Sequence, residues 1–175
     1  VGEPVKYLRW RAGKAEEGSL KLARYYDLFP LERVPFEAGT NFVVYAGLVF
    51  VGLSRNYMDA CGQDWRIHAP MPLSTLYFEQ WFLDLPEQPP VLSHVIPSPV
   101  TEGYYGAGGF CVTRVNGRAV RSVRELAEAI DAASDSQWLT FEGGRHERLV
   151  LDRAKADAAH PEIMKRNGIP LARRL

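Results

Sequence analysis

Two cysteines in 175 residues, Cys61 and Cys111, are too few for a disulfide scaffold and too few for a cysteine-based metal site. They leave the redox compartment open. Four histidines, His68, His94, His146 and His160, are scattered, and none has the i, i+4 spacing of a helical metal site. No metal and no cofactor is expected. Neither Gly-x-Ser-x-Gly nor Gly-x-Ser-Gly-Gly occurs, so the chain has no serine-hydrolase elbow. The cluster Gly106-Ala107-Gly108-Gly109 lacks the Lys-Ser/Thr of a phosphate loop and precedes a strand-like run, which makes it a turn. The longest uncharged apolar run, Phe42 to Leu53, falls well short of the ~20 residues of a membrane-spanning helix.

Charge of one sign is also missing. The chain has 21 Lys and Arg against 21 Asp and Glu. Residues 1–24 carry six basic and three acidic groups, residues 25–113 three and nine, and residues 114–175 twelve and nine. No basic stripe of the kind that tracks a phosphate backbone results, so nucleic acid is set aside as a partner. What is present is enough for a core: 46% of residues are hydrophobic and 11% aromatic. A chain of this length buries roughly two thirds of its unfolded surface without a metal or disulfide staple. Val1 leads into charged sequence rather than an apolar segment, and in place of an initiator Met it suggests a piece of a longer protein.

Alternation predicts a β-hairpin from Val5–Trp10 and Ser19–Tyr25 around Ala12-Gly13-Lys14, followed by an extended connector marked by Pro30 and Pro35. FVVYAGLVFVGL (42–53) predicts two short buried strands broken by a tight turn at Ala46-Gly47. Residues 55–72 suggest loop with a short helix near Tyr57–Cys61. A helix capped by Ser74 follows to Leu83 and ends at Pro86, Pro89 and Pro90. Strands are expected at Val91–Ile96 and Phe110–Val115, the latter turning at Asn116-Gly117 into Ala119-Val120. Ser122 and Glu125 have capping-box spacing ahead of Val123, Leu126, Ala127 and Ile130, which predicts a helix over 122–133. A second hairpin (137–142 and 147–151) precedes a last helix, roughly Pro161–Asn167, capped by Gly168. Hairpins without a βαβαβ series give an α+β fold and exclude doubly wound nucleotide-binding folds.

Two chemical readings follow. Cys61 with His68 as base would make a nucleophile, but Cys61 sits beside Gly62 with no third group to orient the pair. The other is a peptide groove. The turn Tyr45-Ala46-Gly47-Leu48 runs into Val49–Leu53, and a glycine there lets successive backbone N–H groups converge on a terminal carboxylate. If that strand is an edge, Val49, Phe50 and Val51 accept an added peptide strand, with Val123, Ala127 and Ile130 walling the other side. The spacing alone equally allows a plain turn and a plain core helix.

FCVTRVNGRAVRSVRELAEAIDAA (110–133) resembles the strand, Asn-Gly turn, strand and helix of a PDZ domain in the Deg/HtrA serine proteases. YAGLVFVGLSRNYM, VLSHVIPSPVTEGYY and IMKRNGIPLARRL resemble the second PDZ domain of plant-type Deg proteases and their bacterial relatives. VKYLRWRAGK and SLKLARY are similar to the closing hairpin of a preceding PDZ domain. The resemblance implies a PDZ-like antiparallel barrel or sandwich capped by helices. Its domains would be a hairpin (1–24), a connector (25–41) and a PDZ-like unit (42–175) with a long insertion (55–90). It implies a noncatalytic module of a serine endopeptidase active in proteolysis and protein quality control, with the catalytic domain upstream. Its partners would be C-terminal or extended peptides, the parent protease domain, the other PDZ domain and further protomers of a homo-oligomer. It leaves the compartment open, favouring a bacterial periplasm or cell envelope beside the organelles of other relatives. The same resemblance admits a scaffolding domain with a blocked groove, held to its neighbours by Trp65 and Trp81 of the insertion. The tail Ala172-Arg173-Arg174-Leu175 has a solvated basic composition and an apolar last residue that a PDZ groove would accept in trans.

Overall fold

Two adjacent residues with positive φ, Ala12 at 49° and Gly13 at 77°, turn β1 (Pro4–Arg11) back onto β2 (Lys14–Lys21) in the computed structural model, which describes residues 2–24, 28–32, 39–83, 85 and 87–175. Because the turn is this tight, β2 begins five residues earlier than the Ser19 expected, and Ala15 to Gly18 join the ladder. Every residue of β1 is exposed, so the hairpin carries Val5, Tyr7, Leu8 and Trp10 on its surface. Pro35 and Pro86 lie outside the described residues.

The remaining strands form one sheet. These are β3 (Phe42–Tyr45), β4 (Leu48–Gly52), β5 (Pro90–Val95), β6 (Phe110–Val115), β7 (Arg118–Ala119), β8 (Trp138–Gly143), β9 (Arg148–Asp152) and β10 (Arg173–Arg174). Their order is β10-β3-β4-β5-β6-β8-β9, with β7 paired to β6 and every pairing antiparallel. Strands three steps apart in a flat sheet lie about 14 Å apart. Phe50 of β4 and Phe141 of β8 nevertheless bring their ring centroids to 5.0 Å. The sheet therefore curls into a barrel-like wrap, narrowed to two residue pairs between β5 and β6. The fold is α+β.

Helix α4 (Val123–Ala132) plugs the wrap. Ser122 Oγ accepts the Glu125 N–H at 3.2 Å, and Glu125 Oε2 accepts the Arg121 N–H at 2.7 Å, which satisfies donors that a helix start leaves open. Val123, Leu126, Ala127 and Ile130 are buried as the spacing predicted, and Ala129 is buried with them. Helix α5 (Arg153–Arg166) starts eight residues before the Pro161 expected. Asp152 caps it by accepting the Lys155 N–H at 3.0 Å, and Pro161 lies inside, on an exposed face, with no N–H for the carbonyl of Asp157.

The insertion builds a second core. Three helices, α1 (Arg55–Ala60), α2 (Trp65–His68) and α3 (Met71–Glu79), pack Met58, Trp65, Leu73 and Tyr77 against Leu31, Leu53 and Val91. Ser74 is not the cap of α3: the helix begins at Met71, with Pro72 in its first turn, and leaves Ser74 buried within. Trp65 is likewise not a surface aromatic, being 1% exposed, whereas Trp81 is half exposed against Phe29. Among the described residues no helix is long and apolar enough to cross a membrane. Replacing Trp65 by Ala is expected to lower the unfolding free energy by about 3–5 kcal/mol in a urea titration, through lost burial and a cavity, without changing the sedimentation of the folded protein.

Candidate functional site

The proposed groove lies where β3, β4 and α4 meet. Ala46 and Gly47 have φ of 47° and 93°, the pair of left-handed residues that a two-residue hairpin turn demands, and they place Tyr45 opposite Leu48. Glycine is required at 47: a Cβ there would stand 2.8 Å from the Ile96 carbonyl oxygen and 3.2 Å from Thr101 Cγ2. Thr101 holds that wall in place. Its hydroxyl donates to the Ile96 carbonyl at 2.9 Å and accepts the Ser98 N–H at 3.0 Å.

At this turn the Ala46 and Leu48 donors are already engaged. The Ala46 N–H donates to His160 Nδ1 at 3.2 Å, the Gly47 carbonyl accepts the Ile96 N–H at 2.7 Å, and Leu48 is paired to Tyr45. Nor is β4 an edge. It is paired with β3 on one side and β5 on the other, through Leu48, Val49, Phe50, Val51 and Gly52. The expectation of peptide addition along Val49–Leu53 is therefore corrected: β3 occupies the edge an incoming strand would use. The residues expected to line the groove do come together, but as interior. Tyr45, Ala46, Leu48, Phe50, Val123, Ala127 and Ile130 share one buried cluster, while Val49 and Val51 are half buried on the opposite face.

A polar cluster completes this corner, and its α5 members were not expected. Tyr45 Oη donates to Asp157 Oδ1 at 2.6 Å, and Arg153 Nε donates to Asp157 Oδ2 at 2.8 Å. The Arg153 guanidinium also donates to the Ile130 carbonyl at 2.7 Å and lies 5.3 Å from the centre of the Tyr45 ring. Tyr45 and His160 stack with centroids 5.7 Å apart. Arg153, Asp157 and His160 recur at i, i+4 and i+7, so the signal was present, but it is legible only once the helix is known to start at 153. Burial, reinforced by the Asp157 carboxylate, holds the Tyr45 phenol well above its usual range. Burial alone would raise the Asp157 carboxyl; the Tyr45 hydroxyl and Arg153 outweigh it and hold it low. Burial lowers the His160 imidazole, which suits a ring that accepts a hydrogen bond at Nδ1.

The tail is not solvated throughout. It forms β10 on the outer edge of β3, where the Val44 N–H donates to the Ala172 carbonyl at 2.7 Å. Arg173 grips Asp131 at the end of α4 with two bonds of 2.7 and 3.1 Å. A cavity of about 190 Å³ remains beneath it, among β3, α4 and α5.

Nothing here favours nucleophilic or metal chemistry. Burial raises the Cys61 thiol and pushes the Cys111 thiol up to about 12, the reverse of what a thiolate nucleophile needs. Among the described residues no group of three or more His, Cys, Asp or Glu could hold a metal ion.

The family model described as a PDZ domain matches residues 32–174, most of the chain. The chain belongs to the PDZ-domain family. Two proteins of Arabidopsis thaliana, named as the mitochondrial proteases Do-like 12 and Do-like 11, are similar to it, each with 25% identity, over 153 and 168 residues. The alignments cover 87% and 96% of the chain but 24% and 25% of the plant proteins, so the chain spans about a quarter of their length. Within this PDZ domain, the strand that follows the Tyr-Ala-Gly-Leu turn is closed on both edges.

Two outcomes follow. Gly47→Ala is expected to destabilise the PDZ domain by about 2–4 kcal/mol in urea unfolding, because left-handed strain and a steric contact add. Stability should be level above about pH 6.5 with respect to His160, since the ring is then neutral in both states. Below that, the unfolded chain takes up a proton the folded ring resists, so stability falls toward the lowered folded pKa. Urea midpoints at pH 7 and pH 5 should therefore differ less in His160→Asn than in the parent.

Proposed function

We propose that this PDZ domain is a noncatalytic regulatory and assembly module of a Deg/HtrA-type serine endopeptidase, with its peptide groove closed by its own chain. The observation that carries this is the double pairing of β4, with the Ala46 amide committed to His160. PDZ domains take peptides by strand addition at a free sheet edge beside a helix. Here β3 fills that place, tethered by a two-residue turn, and no free peptide can match its effective concentration. The similarity to Do-like proteases supports the protease context.

An assembly role is supported by the surface of the insertion. Met71, Phe78 and Phe82 recur at about i, i+7 and i+11 along α3 and its end, and they are 63%, 48% and 90% exposed; Ile67 of α2 is 79% exposed. Large apolar side chains recurring at helical spacing belong to an interface more often than to an idle surface. The hairpin β1–β2, whose apolar side chains are also exposed, fits the end of a preceding domain of the same parent chain.

Calorimetric titration with peptides ending in an apolar residue tests the closed groove. The free-acid and the amidated forms should give equal or absent heats. A heat that appears only with the free carboxylate would show an open cradle and overturn the reading.

A further inference from the structure

We infer that the outer edge of β3 is a strand-exchange site, at present held by the chain's own tail, which accepts an extended segment from another chain bearing an arginine set to meet Asp131. The inference rests on the closed-groove reading, because it moves recognition one strand outward, from β4 to β3.

The two closures differ sharply in strength. β3 cannot leave without exposing Val43 and Tyr45, which are 4% and 8% exposed within the main core. The tail gives up far less. β10 is two residues long, Leu171, Arg173 and Arg174 are exposed, and Ala172 is half buried. Its specific ties are a two-residue ladder with Arg173 opposite Val43 and Arg174 opposite Phe42, the Val44 N–H to Ala172 carbonyl bond beside it, and the Arg173–Asp131 fork, whose side chains are 47% and 55% exposed. Exposed ion pairs and two-residue ladders of this kind hold weakly, so the segment belongs to the part of a fold that opens locally. α5 is finished independently of it. Gly168, at φ 63°, donates to the Lys165 carbonyl and Ile169 to the Met164 carbonyl, which closes the helix before the tail begins.

What the tail uncovers is selective. The Val44 N–H faces outward and requires a carbonyl from an extended strand running antiparallel to β3. One residue further on, Asp131 requires a forked cation. With Arg173 withdrawn, the corner holds the carboxylates of Asp131 and Asp157 against the single guanidinium of Arg153, so the field also calls for positive charge. The occupant is therefore an extended protein segment with a carbonyl on Val44 and arginine on Asp131, of which Ala172-Arg173 is the resident example.

The test uses the full ¹⁵N-labelled chain. In the unaltered protein the Val44 amide should exchange with solvent at least tenfold faster than the Leu139 amide of the core. Exchange of both only on global unfolding would mean the tail never opens and would overturn the inference. Next, the Arg173→Glu chain, whose changed side chain is exposed, is titrated with a synthetic peptide of residues 167–175. Shifts at Val44 and Asp131 are expected, with affinity about three- to tenfold weaker when the peptide carries Glu in place of Arg173. An Asp131→Arg chain should reverse that preference. No shift at Val44 in either chain, or equal responses to both peptides, would sink the exchange site while leaving the closed groove intact. Shifts confined to Ala46 and Leu48 would instead refute the closed groove.

Discussion

The left-handed pair Ala46-Gly47 governs the arrangement of the domain, because it folds β3 directly onto β4. Alanine at φ 47° is strained by about 1–2 kcal/mol relative to its usual regions. Contacts on either side offset that strain: the Ala46 amide on His160, the Gly47 carbonyl on Ile96, and the buried Thr101 hydroxyl that fixes Ile96. The turn also sets register. With Tyr45 opposite Leu48 and Val43 opposite Phe50, four side chains face the main core together, and Val51 turns toward the second core. A slip of one residue would reverse every one of these assignments.

The two cores divide the work. The first joins β3, β4 and α4 to the second half of the sheet through the Phe50–Phe141 contact, which is why the apolar face of α4 serves as a structural plug. The second gathers around Trp65, whose ring meets Tyr77 edge-on at 5.2 Å and stacks on Phe78 at 5.6 Å. Burying Trp65 while leaving Met71 and Phe82 outside gives the insertion a stable base and an apolar outer surface. A disordered loop would not present such a surface in fixed positions.

Signals carried by neighbouring residues stand in the structure more often than those that depend on distant pairing. The strands at 42–53, the turns at Ala46-Gly47 and Asn116-Gly117, and the Ser122 cap all depend on neighbouring residues, and all stand where the spacing put them. The hairpin 42–53 looks the same whether β4 has one partner or two, since pairing with β5 depends on residues some forty positions away. The start of α5 is hidden in the sequence because Pro161 resembles a first-turn proline, and because this helix buries only Ala156 and Ile163, too few to show an apolar stripe. Losing its first two turns hid Arg153, Asp157 and His160 as a set. Ser74 misled for the related reason that a capping residue is also small enough to be buried inside a helix.

The tail completes the logic of a domain closed in two layers. A strand tethered by a two-residue turn competes with free peptides at an effective concentration that ordinary ligands do not reach, so the inner layer is permanent on the scale of the fold. The outer layer has a two-residue ladder on β3, the adjoining bond at Val44 and one exposed ion pair, and its stability is small against the 5–15 kcal/mol typical of a whole domain. A segment so held responds to competing strands without endangering the core beneath it. The polar corner of Tyr45, Arg153, Asp157 and His160 lies between the layers, bonded to the inner turn at Ala46 and separated from the tail by the cavity that Arg173 borders. Tyr45, Asp157 and Arg153 are hydrogen-bonded in series and His160 holds the Ala46 amide, so the turn that locks the inner layer rests on α5 and keeps its support when the tail is exchanged.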